Sequence, residues 1–154
     1  MRTRYAALVR HATFVSGSRE GAEDLVHDAF VATFSRVRAF PNAAAAEGYV
    51  RRAIVTKYLD RVTSQSRQRA AAARVAAEPV YVPDAASGLG GDTVDVLEGL
   101  SPRERACVTL RYIDQLSTAE TAKALGIAEG SVKRYVADAS RKIVALVRQE
   151  GGTA

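Results

Sequence analysis

Residues 117–147 read STAETAKALGIAEGSVKRYVADASRKIVALV, and this stretch decides the fold. Ser117 stands where an N-cap belongs, Glu120 three residues on closes a capping box, and Gly126 is placed to end the first helix. A second helix then begins near Ala128. Its apolar residues Val132, Tyr135, Val136, Ala139, Ile143, Leu146 and Val147 recur at spacings of three and four and predict one buried stripe. The opposite face carries Glu129, Lys133, Arg134, Asp138, Arg141 and Lys142. A short helix, a glycine turn and a longer helix with a basic outer face match a helix-turn-helix, whose second helix enters the major groove of DNA. The same pattern also occurs in helical pairs that never meet nucleic acid, so the rest of the chain has to decide.

Immediately upstream, Ser101-Pro102-Arg103-Glu104 is a second capping box with proline at the first helical position. The helix it starts places Ala106, Cys107, Leu110 and Ile113 inward and ends near Asp114-Gln115. Before it, Pro79, Pro83 and the run SGLGGD predict a flexible connector, followed by a helical turn around Val94 to Leu97. Residues 63–78, TSQSRQRAAAARVAAE, have no broad apolar face and predict at most a frayed helical extension.

The N-terminal half is also helical. Tyr5, Leu8, Val9, Ala12 and Val15 define a helix ended by Gly17, and Ser18 is read as the cap of a longer one. That helix turns Ala22, Leu25, Val26, Ala29, Phe30, Thr33, Phe34 and Val37 inward. Its outer face begins with Glu20, Glu23, Asp24 and Asp28 and ends with Arg36 and Arg38, an order the helix dipole favours on any exposed helix. Phe40-Pro41-Asn42 interrupts the pattern and predicts a loop or bend before Tyr49, although the four alanines that follow could begin the next helix. A third helix has Val50, Ala53, Ile54, Tyr58 and Val62 inward and Arg51, Arg52, Lys57 and Arg61 outward. Cations interleaved with Tyr49 and Tyr58 resemble a platform for single-stranded nucleic acid, although Tyr58 fits the core better.

Charge is segregated along the 154 residues. Residues 1–74 hold 13 Lys or Arg against 6 Asp or Glu, residues 75–99 hold none against 5, and residues 100–154 hold 9 against 6. Two basic blocks, each suited to a polyanion, therefore flank an acidic connector. No apolar run is long enough to span a bilayer, and Arg10 and His11 interrupt any signal-peptide core, so a cytoplasmic location is expected. One cysteine, Cys107, and two histidines far from it offer neither a disulfide nor a zinc site, and Cys107 is expected in the core. There is no glycine-rich phosphate loop, paired metal ligands or nucleophile elbow, so neither a catalytic residue nor a cofactor or small-molecule substrate is expected. The fold class is all-α, two small helical domains joined by a flexible acidic linker, with boundaries at 1–70, 71–94 and 95–150.

Together these parts resemble a small RNA polymerase sigma factor of the extracytoplasmic function type, in the sigma-70 superfamily. Residues 100–143 are similar to that family's region 4, AEDLVHDAFVATF at 22–34 resembles region 2.2, and YVRRAIVTKYLDR at 49–61 stands in the place of regions 2.3 and 2.4. The small size and the arginine and alanine content suggest an actinobacterial, SigE-like member. The resemblance implies that Asp24, His27 and Asp28 dock on the β′ clamp helices of core RNA polymerase, with the β flap as a second contact. It implies that Asn42, Tyr49, Arg51, Arg52, Thr56, Lys57 and Arg61 hold the melted strand of the -10 promoter element. Glu129, Gly130, Ser131, Lys133 and Arg134 would then begin the recognition helix in the -35 major groove. An anti-sigma protein is a further partner the resemblance allows. Tyr49 replaces a common Trp, Thr56 a common Asn and His27 a common Gln, while Tyr135, Asp138 and Ser140 stand where the family is often basic. The competing reading is a helix-turn-helix regulator that binds operator DNA as a dimer without acting as a polymerase subunit. A recombinase would need a catalytic fold that the sequence lacks.

Overall fold

The computed structural model describes residues 2–36, 39–75 and 98–151. Val37, most of the predicted linker, the predicted turn at Val94 to Leu97 and the acidic residues of the connector other than Glu98 lie outside them. Every regular element described is helical: α1 Arg2–Ser16, α2 Ala22–Arg36, α3 Ala43–Val75, α4 Pro102–Val108, a π-helical turn Thr109–Ile113, α5 Thr118–Leu125 and α6 Glu129–Gly151.

The helix boundaries follow from local chemistry. Gly17 and Gly21 take φ values of +73° and +81°, so the chain turns twice after α1. For that reason α2 starts at Ala22, and Ser18, read from the sequence as its cap, lies outside the helix. At α3 the side-chain oxygen of Asn42 accepts the Ala45 N–H at 2.8 Å, and the alanines after it are helical. The alanines thus begin the third helix, the option the sequence left open, and the described part of the loop is confined to residues 39–42. At its other end α3 continues to Val75, five residues past the expected domain boundary, with residues 63–73 exposed. Alanine-rich sequence holds the helix through propensity where packing is absent.

Both predicted capping boxes are present, Ser101 with Glu104 and Ser117 with Glu120, each with reciprocal hydrogen bonds. Gly126 ends α5 in the left-handed conformation, at φ +66°. Between them the helix does not simply stop. The Asp114 N–H reaches back to the Thr109 carbonyl at 3.0 Å, a π-type bond, and Gln115 follows at φ +56°. This widened turn rotates Ile113 outward, so it is 40% exposed instead of buried as its spacing suggested.

The three N-terminal helices enclose Leu8, Ala12, Leu25, Val26, Ala29, Val50 and Ile54. Cys107, Ala122 and Val132 form the centre of the C-terminal helices. The two centres are joined by shared clusters. Val15 and Val55 pack with Ala106, Leu110 and Leu116, and Phe14 packs with Leu100, Val108 and Ala139. The two helical units are thus docked on each other, which adds shared burial to two cores that are each small. Beyond Ile143 the stripe of α6 leaves the core: Leu146 is half-buried and Val147 is 56% exposed.

Candidate nucleic-acid and polymerase interface

Helix α2 carries the first set of candidate residues. Asp24, His27 and Asp28 are all exposed, and their spacing of three and four places them on one face, opposite the buried Leu25, Val26 and Ala29. Asp28 is also hydrogen-bonded to Arg61 of α3, so one residue expected to meet polymerase restrains one expected to meet DNA.

Helix α3 divides its candidate residues between two surfaces. Tyr49, Arg52, Thr56 and Lys57 line a groove of about 710 Å³ that also contains Thr33 and Arg36 of α2. The far wall of this groove is α5, through Glu120, Lys123 and Ala124. Tyr49 is 44% exposed at the groove and meets Phe40 at 5.7 Å, which in turn stands edge-on to Phe34 at 5.9 Å. An aromatic array beside cations offers stacking together with phosphate neutralisation. Thr56 donates its hydroxyl to the Ala53 carbonyl at 3.0 Å and leaves its oxygen able to accept. The remaining three candidates lie elsewhere. Asn42 caps α3, Arg61 pairs with Asp28, and Arg51 points to the other side of the helix.

That other side holds a polar cluster that sequence reasoning missed. His11 of α1 places Nε2 at 2.9 and 3.0 Å from the two carboxylate oxygens of Asp114, and the Arg51 guanidinium lies 3.6 Å from the same carboxylate. Glu47 pairs with Arg51 one turn back, at 3.1 Å. Nearby, Arg105 is only 7% exposed and reaches the Val15 carbonyl at the end of α1. Burial raises the pKa of the Tyr58 hydroxyl, with Arg105 pulling the other way, so Tyr58 belongs to the core where the two units meet. The available signal was a charged or titratable residue flanking an inward position, His11 before Ala12 and Arg105 before Ala106. Only the fold brings each to its partner in the other unit, His11 to Asp114 and Arg105 to the Val15 carbonyl.

At the start of α6, Glu129, Gly130, Lys133 and Arg134 are exposed and Ser131 is half-buried. The Ser131 and Val132 N–H groups both bond the Ala128 carbonyl, which closes the first turn. Arg134 lies over the Tyr135 ring at 5.3 Å, so the tyrosine that replaces a basic residue props a cation instead. Further along the same helix Asp138 binds Arg141 and so reduces the charge free to meet phosphate. Cys107 is fully buried and burial raises its thiol pKa to about 11, as fits a core residue. No group of potential metal ligands and no helix long and apolar enough to cross a membrane occurs among the described residues.

Comparison with known proteins matches both ends of the chain. Residues 1–68 match the model for sigma-70 region 2 and residues 92–143 the model for sigma-70 region 4. The RNA polymerase sigma-E factor of Streptomyces coelicolor is 31% identical over 153 residues, covering 97% of this chain and 82% of that protein. The extracytoplasmic function sigma factor SigM of Mycobacterium tuberculosis is 29% identical over 150 residues, 95% of this chain and 74% of its own length. Among solved structures, the sigma factor RpoE of Bartonella quintana, crystallised with the anti-sigma factor NepR, superposes with a TM-score of 0.67 at 22% identity. That superposition covers 95% of this chain and 92% of RpoE, and it supports the all-α fold.

Proposed function

The chain belongs to the extracytoplasmic function branch of the sigma-70 family, and from that membership we infer that it binds core RNA polymerase and promoter DNA to start transcription. Its role is recognition, and the chemistry of RNA synthesis belongs to the polymerase. The observation that carries this reading is the pairing in one chain of an exposed acidic face, a cationic aromatic groove and a helix-turn-helix, in the order the family uses.

In this reading Asp24, His27 and Asp28 dock on the β′ clamp helices, an assignment supported by their shared exposed face. Tyr49, Arg52, Thr56 and Lys57 hold the melted -10 strand in the groove, Tyr49 by stacking and the cations by phosphate contact. Asn42, Arg51 and Arg61 complete that set once the contacts they make in the free chain are exchanged for DNA. Glu129, Gly130, Ser131, Lys133 and Arg134 enter the -35 major groove, and the C-terminal unit meets the β flap. The functional units are residues 1–70 and 95–150, with residues 71–94 as the linker. An anti-sigma protein is the remaining partner, in keeping with the complex in which the RpoE relative was solved.

Gel filtration with purified core polymerase tests the docking face. Wild type comigrates with core, and the double variant Asp24→Ala, Asp28→Ala loses at least about tenfold in affinity, as expected for truncated charge partners at a hot spot. Unchanged comigration of the variant would overturn the assignment. Absence of comigration by the wild type would favour the operator-binding regulator.

A further inference from the structure

A promoter whose elements are named -35 and -10 spans some 25 base pairs between them, or ~85 Å of duplex at about 3.4 Å per pair. In this structure the helix proposed to hold the -10 strand, α3, is in direct contact with α4, the π turn and α5 of the unit proposed to hold the -35 element. Helices in contact cannot reach both elements at once. The docked arrangement is therefore a different state from the one that engages a promoter, and something has to hold it.

The polar cluster between the units is built for that task. Asp114 comes from the C-terminal unit, while both its partners, His11 and Arg51, come from the N-terminal unit. The His11 and Asp114 side chains are 3% and 5% exposed, so the hydrogen bond between them is shielded from water. The backbone is bent to deliver Asp114 there. The π turn ends on its N–H, and Gln115 adopts a left-handed φ of +56°, a conformation that a residue with a side chain rarely takes. The closed state also carries a cost that favours release, because His11 Nδ1 and Arg51 Nε are buried with no hydrogen-bond partner among the described residues. Arg51 is at once a latch residue and one of the residues expected to hold the -10 strand. Closing therefore removes a DNA contact as well as placing α5 across the groove.

We propose that the docked arrangement is an autoinhibited resting state and that Asp114, by gripping His11 and Arg51, is the latch that keeps the free chain off single-stranded DNA. The proposal rests on the sigma reading for its meaning, but the latch has its own observables. Opening exposes Val15, Val55, Leu110 and Leu116, and contacts with polymerase must offset that loss.

The test uses the full chain carrying Asp114→Asn or His11→Gln, with folding checked by circular dichroism. The probe is a fluorescent mixed-sequence single strand of about 12 nucleotides, within the range that such grooves bind. Small-angle scattering should show a larger radius of gyration for both variants, and affinity for the strand should rise about tenfold as the competent fraction grows. Adding Arg51→Ala to Asp114→Asn should abolish most of the gain in affinity while leaving the expansion. Folded variants with unchanged dimensions and unchanged affinity would overturn the latch, and should Asp114→Asn not fold, His11→Gln decides alone. Failure of the sigma reading is distinguishable: wild type would then give no polymerase-dependent transcript even where both latch variants open.

Discussion

Two glycines with positive φ show how one residue type serves two purposes. Gly126 ends α5 at φ +66° with open space where a Cβ would stand, so Gly126→Ala carries only the left-handed penalty, about 1 kcal/mol. Gly17, at φ +73°, would place a Cβ 2.7 Å from Nη1 of the buried Arg105, so Gly17→Ala also displaces a side chain that joins the two units. Its cost should be roughly 2–3 kcal/mol. Thermal melts of the two variants check the order, and equal shifts would show that Arg105 yields freely. Glu104 offers a test in pH. Burial alone would raise its pKa, but hydrogen bonds from Lys142, at 2.6 Å, and from Ser101 outweigh this and hold the carboxyl below its ordinary value of 4.5. A group whose folded pKa is depressed stabilises fully above its unfolded pKa and loses that contribution as pH falls through the folded one. Glu104→Gln should therefore cost about 1 kcal/mol at neutral pH, with the gap to wild type closing below pH ~4 in urea titrations.

The elements divide by how local their causes are. Both capping boxes, the Gly126 turn and most of the inward faces of α1 and α2 were legible in the sequence because each depends on residues within one or two turns, whereas Phe34, read as inward near the end of α2, is 48% exposed and stacks on Phe30 at the surface. What was illegible depends on distant partners or on competition between weak preferences. The start of α2 moved past Ser18 because two glycines took left-handed turns, and the extension of α3 expected to fray is regular helix to Val75 because alanines sustain a helix without a core. The π turn leaves no local pattern at all, and with it the outward rotation of Ile113 and the inward placement of Asp114 went unread. Among the candidate residues, the faces of α2 and α6 were readable from helical spacing, whereas the split of α3 between a groove and a polar cluster was not. A prediction belongs to α6. Lys133→Ala should weaken duplex binding by the chain bound to polymerase and lower the slope of log affinity against log salt by about 1, the signature of one lost phosphate contact. An unchanged slope would remove Lys133 from the -35 interface.

Taken whole, the molecule is two small helical units that complete each other's cores, with an exposed acidic face on α2 that we assign to a protein partner and a cationic groove that we assign to DNA. Shared burial predicts that the free chain unfolds in one cooperative step, and Leu110→Ala should lower both near-simultaneous signals, from the N-terminal and C-terminal helices, by about 2–5 kcal/mol. Two separate transitions in hydrogen exchange would contradict the docked state. The proposed function has the same two units part and grip separate DNA elements on the polymerase. Run-off transcription from promoter fragments of the source genome, with purified core polymerase and with or without this protein, tests that account most directly. Specific transcripts that appear only when the protein is present are the predicted result, and the absence of any protein-dependent start across the fragments, together with no comigration with core, would contradict it.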